Sequence, residues 1–173
     1  MRGALAALPL VVVLAASTVA AQSTAPTNVP DAVTRRTGLR VAPMPRAAQL
    51  YAANCQGCHG LGRSVNEIPA LADRVGYFVR IPEGRAYLVQ VPNVAMNPGS
   101  DADIAELLNW VLGTYSRPQL PPDFRGYTAD EVGRLRTQRI DVKERRRRVV
   151  ELLLTNHQIP SADALAIPPS GLY

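Results

Sequence analysis

Cysteine is scarce in this 173-residue chain: there are only two, Cys55 and Cys58. Set that close, they leave no thiol for a disulfide elsewhere and too few for a four-cysteine zinc site. Histidine occurs twice (His59 and His157), lysine once (Lys143), and aromatic residues make up 5% of the chain. A site built from clustered imidazoles, or a lysine-rich docking ring, is therefore excluded. Arginine carries nearly all the positive charge, in a chain of net charge +5. We read no function into that arginine bias itself. Beyond the N-terminal stretch, no apolar run is long enough to span a bilayer.

What the chain does have is Cys55-Gln56-Gly57-Cys58-His59. This is the Cys-x-x-Cys-His pattern by which a c-type haem is attached. Two thiols on one helical turn reach the two vinyl groups on one edge of a porphyrin and form thioethers. The next residue then offers an imidazole to the iron. The rival reading of a Cys-x-x-Cys is a redox dithiol. That rival requires a strand–helix–strand setting, and no such pattern surrounds this motif. Instead the Ala-rich segment from Pro45 to Asn54 predicts a helix leading into it.

Haem of this type is attached outside the bacterial cytoplasm, so the chain is expected to be exported. Met1-Arg2-Gly3, the uncharged run Ala4 to Ala16 and the small residues up to Ala21 read as a signal peptide over 1–21. A retained membrane anchor is the alternative. Pro9 and Ser17-Thr18 speak against it, so the mature protein is expected in the periplasm without stable membrane insertion. Residues 22–45, with Pro26, Pro30, Pro43 and Pro45, read as a Pro-rich N-terminal arm.

Residues 46–116 form the expected compact domain. Val75 to Val79 suits a strand by residue type, or an irregular stretch lining a cofactor. Pro82 precedes a short predicted helix over 83–89, and Pro92, Asn97, Pro98 and Gly99 mark loop. Ser100 is a strong N-cap for a helix whose Ile104, Leu107, Leu108, Val111 and Leu112 recur at three- and four-residue steps. Residues 117–173 read as a helical C-terminal extension of unknown role. After a Pro-rich link over 117–127, Thr128 to Glu131 open one helix running to about Arg139. Asp141 caps another running to about Leu154, and an extended arm follows from Ser161. The charge is uneven: five arginines meet six acids over 46–116, but ten basic residues meet seven acids over 117–173. In an exported protein this implies an acidic partner surface and not nucleic acid.

The position opposite the imidazole has three readings. Met96, in the loop before the main helix, supplies a thioether that would raise the potential. Methionine also serves as a plain core filler. His157 is the only other histidine. An open position would permit ligand binding or peroxide chemistry.

In the motif at 55–59 and the order of helix, haem motif, Pro-containing loop, Met loop and terminal helix with an aromatic, residues 46–116 resemble the class I monohaem cytochromes c of bacteria. The resemblance implies an all-α fold, one covalent haem c on Cys55 and Cys58, and iron held by His59 and Met96. It also implies that the Pro69 carbonyl orients the His59 ring, and that Tyr51 and Trp110 meet where the first and last helices cross. The chain departs from the family in Met96-Asn97-Pro98 and in residues 117–173, to which the resemblance does not extend. The implied function is periplasmic electron transfer from a dehydrogenase, without catalysis of its own. Residues 117–173 would dock on a dehydrogenase or oxidase subunit. A fixed haem subunit of a multi-subunit oxidoreductase, or an open-site haem enzyme or gas-binding protein, are the alternatives.

Overall fold

A computed structural model describes residues 44–63 and 68–166. The expected signal peptide, the arm up to residue 43 and the last seven residues lie outside them. The described residues are helical and contain no strand. In chain order come α1 (Arg46–Asn54), α2 (Gln56–His59), α3 (Val75–Phe78), α4 (Pro82–Gln90), α5 (Pro92–Ala95) and α6 (Asp101–Tyr115). A 3-10 turn (Arg117–Gln119) leads to α7 (Ala129–Arg136), α8 (Val142–Thr155) and a last 3-10 turn (Ala162–Leu165).

α6 is the spine. Ser100 and Asp103 form a reciprocal capping box at its start, which satisfies two of the donors that every helix N-terminus leaves free. Its stripe of Ile104, Leu107, Leu108, Val111 and Leu112 is buried. α1 packs on one side of this stripe through Tyr51, and α7 on another through Val132. A second apolar cluster joins Phe78, Ile81 and Tyr87 to Val149 and Leu153 of α8, with Ile159 and Leu165 behind them.

Four expectations change. Residues 75–78 form a helical turn, not a strand. Gly76 donates its N–H to the Ser116 hydroxyl at 2.9 Å, and a Cβ there would lie 2.5 Å from the Ser116 carbonyl. This close approach overrides the strand preference of the β-branched neighbours. Pro92 starts α5 instead of marking loop, because its missing N–H costs nothing at a first helical position. α7 stops at Arg136, short of Arg139. Finally, the segment after Ser161 folds back up to residue 166: Leu165 is 1% exposed, and its carbonyl accepts from Arg146 at 2.5 Å. Both extension helices are capped, with Thr128 accepting from the Glu131 N–H and Asp141 from the Glu144 N–H. Thr128 to Glu131 form only half of a capping box, because the Glu131 carboxylate is held by Arg85.

The apolar side of the extension is thus buried within the chain. Leu153 is 0% exposed, and Leu153→Ala is expected to lower the stability of the whole unit by about 2–5 kcal/mol. Urea unfolding of the full chain followed by circular dichroism checks this. An unchanged main transition would show that α8 contributes nothing to the core.

Candidate functional site at the Cys55–His59 turn

The turn begins where α1 ends. The Cys55 N–H donates to the Tyr51 carbonyl at 2.8 Å, and the Cys55 carbonyl accepts from the N–H of Cys58 at 3.1 Å and of His59 at 2.9 Å. Both thiols therefore project from a single turn. They are free, with Cys55 half-buried and Cys58 exposed. Burial, and secondarily the neighbouring Cys58, push the Cys55 thiol above its ordinary pKa. A nucleophilic redox cysteine needs the opposite shift.

His59 closes the turn. Its Nδ1 lies 3.0 Å from the Pro69 carbonyl oxygen. A carbonyl only accepts, so Nδ1 carries the hydrogen and Nε2 keeps its lone pair. Burial holds the ring below the usual histidine pKa, and the bond to Pro69 offsets part of that shift. The imidazole is consequently neutral at pH 7, which is the form that ligates metals.

Pro69 reaches His59 because the chain returns through Gly62, whose carbonyl accepts from the N–H groups of Leu71 and Ala72, both at 2.8 Å. Gly62 is itself held from α1: the Tyr51 hydroxyl donates to the Gly60 carbonyl at 2.9 Å and accepts from the Gly62 N–H at 3.3 Å. The Tyr51 ring packs on Trp110 (centroids 5.4 Å apart) and on Tyr115 (5.2 Å), so the α1–α6 crossing and the turn are one assembly.

Met96 follows α5 as its C-cap and is 63% exposed. It lines a cleft of about 300 Å³ with Pro92, Asn93, Asn97, Pro98 and Asn54. Asn54 immediately precedes Cys55, so the fold brings the Met96 loop to the start of the thiol turn. His157 is exposed, in a left-handed residue (φ 54°) just after α8. Among the described residues, no group of three or more His, Cys, Asp and Glu side chains is placed to hold a metal ion, and no helix is long and apolar enough to cross a membrane.

Two features escaped the sequence reading. One is the Tyr51 hydroxyl bridge, for which the pair Gly60 and Gly62 was the available signal. The other is Arg136 of α7, whose guanidinium reaches the carbonyls on both sides of Met96. Its only local signal was Gly133, a glycine inside a helix, where close packing is the usual reason.

No protein-family model, curated protein or solved structure matches this chain.

Gly62 adopts φ +82°, and a Cβ there would meet the Tyr115 ring at 2.4 Å. Gly62→Ala is expected to cost at least about 1–3 kcal/mol and to loosen the Pro69 return. Thermal unfolding, together with the His59 ring resonances in NMR, reads both effects.

Proposed function

We propose that this chain is an exported monohaem c-type cytochrome that transfers electrons. The reading is carried by one arrangement: two free thiols on a single helical turn, followed by a neutral imidazole whose Nδ1 is tied to a carbonyl and whose Nε2 is left free. A lone imidazole and a thioether do not hold a metal firmly by themselves. They suit an iron whose other ligands come with a porphyrin.

The residues fit that group. Cys55 and Cys58 would hold it covalently, and His59 and Met96 would ligate its iron. The Pro69 carbonyl fixes the ring orientation of His59 and raises its basicity. Leu61 and Met96 are exposed at 72% and 63%, and a bound porphyrin would give such side chains an apolar surface to cover. When bound, haem supplies a one-electron couple between ferric and ferrous iron, raised in potential by a thioether ligand. The chain's part is to hold, orient and shield.

The electron donor would be a dehydrogenase, and the extension would dock on a dehydrogenase or oxidase subunit. The apolar side of residues 128–155 is buried internally, so recognition by the extension would rest on exposed basic residues such as Arg134, Arg139 and Lys143 and call for an acidic partner face. The four consecutive arginines Arg145, Arg146, Arg147 and Arg148 of α8 form no single patch. Arg146 is turned inward to Leu165, while Arg147 and Arg148 pair with Glu144 and Glu151.

The exposure of Met96 favours one second reading: an exchangeable sixth position that binds small ligands. The visible spectrum separates the two. The full chain, produced with a haem-attachment system, is expected to carry haem that survives denaturation and to show the weak far-red ferric band of iron–methionine ligation. Met96→Ala is expected to abolish that band, and Cys55→Ser with Cys58→Ser to abolish covalent attachment. A high-spin ferric spectrum with rapid cyanide binding in the unsubstituted protein would favour the open site. Failure to attach haem at all would overturn the cytochrome reading.

A further inference from the structure

Arg136, the last residue of α7, lays its guanidinium against the segment that carries Met96. Nε donates to the Ala95 carbonyl at 3.2 Å and Nη2 to the Asn97 carbonyl at 2.6 Å. Nη1 donates to the Gly99 carbonyl at 3.2 Å and to the Asp101 carboxylate at 2.9 Å. One planar fork thus joins the end of α5, the residues flanking Met96 and the first turn of α6. Lysine cannot reproduce this, since its ammonium lacks a fork of fixed geometry. The Arg136 side chain is only 21% exposed, so these bonds are partly shielded from water.

Two further observations place the clamp by design of the packing. Gly133 lies inside α7, where glycine weakens a helix. A Cβ there would stand 2.7 Å from the Asp101 carboxylate, so a larger residue would push aside the side chain that pairs with Arg136. The loop is also tied on its inner side: the Met96 N–H donates to the Pro92 carbonyl at 2.8 Å, and the Asn97 N–H to the Val94 carbonyl at 3.2 Å. Its backbone is therefore held by α5 and by Arg136 together.

We propose that Arg136 is a positioning residue for Met96. It holds the loop in the arrangement from which the thioether would serve as a firm iron ligand, and so would make the C-terminal extension part of the redox site. This rests on the cytochrome reading above. A thioether is a neutral, weak donor on a side chain with several rotatable bonds. Ordering its loop beforehand removes an entropic cost that ligation would otherwise bear. Asp101 neutralises the guanidinium, which allows the cation to sit beside the loop without an unpaired charge.

The test compares the full haem-loaded chain with Arg136→Met, Arg136→Lys and Gly133→Ala. In Arg136→Met the far-red band is expected to weaken and the potential to fall. Cyanide is expected to bind the ferric form about tenfold faster or more, as is amide exchange at Met96 and Asn97, since losing even one bond to a charged donor is worth that factor. Amides of the α6 core, from Leu107 to Leu112, are expected to keep their protection. Arg136→Lys, which retains charge opposite Asp101 but not the fork, and Gly133→Ala, which crowds Asp101, are expected to fall between. They also serve where Arg136→Met does not accumulate folded. If the unsubstituted protein shows the band and all three variants match it in band, potential and cyanide rate, the role of Arg136 is overturned alone. If the unsubstituted protein takes up no haem, the cytochrome reading fails and this ligand role falls with it.

Discussion

The Tyr51 ring is 2% exposed, pressed against Trp110 and Tyr115 where α1 crosses α6, and its hydroxyl must find polar partners in that dry contact. It finds them in the backbone of Gly60 and Gly62. Burial above all, and then the neighbouring Tyr115 hydroxyl, raise the phenol's pKa, so it stays protonated and available as a donor. From that bridge the rest of the site follows in order. Gly62 turns in the left-handed region and presents its carbonyl to Leu71 and Ala72. This return delivers the Pro69 carbonyl to His59, and the bond at Nδ1 leaves Nε2 with its lone pair free. A packing contact between two helices therefore sets the tautomer of the His59 imidazole.

The arginine usage acquires a physical meaning in the folded chain. Arg85 grips Glu131 with both arms of its fork, donates to the carbonyls of Arg125 and Gly126, and lies over the Tyr127 ring. Arg80 donates to the carbonyls of Gln119 and Gln158. Arg74, Arg136 and Arg146 likewise donate to backbone carbonyls far away in sequence. A planar guanidinium with five donors suits this task better than a lysine ammonium. Arginines from both halves of the chain thus fasten the C-terminal segments onto the helices before them. The extension is thereby joined to the site region by polar bonds as well as by its apolar face.

The legible parts of the fold were those governed by near neighbours. The α6 stripe and the caps Ser100, Thr128 and Asp141 depend on contacts within a turn or so, and each formed where the residue types placed it. The less legible parts were short segments whose conformation answers to something distant. Val75 to Phe78 coils because Gly76 meets Ser116, and Leu165 is buried because the second cluster and Arg146 hold it. Neither influence is visible within a window of ten residues.

The same division runs through the site. The sequence by itself determined that two thiols and an imidazole share one helical turn, because their spacing and the helical repeat leave little freedom over five residues. It also determined that Met96 is the one methionine following that turn. Only the tertiary structure decided which carbonyl faces His59, that the Met96 loop shares a cleft with Asn54, and that Arg136 spans that loop. Those contacts join segments far apart in the chain. Their geometry is set by how α1, α6 and α7 pack together, and that packing is a property of the whole core.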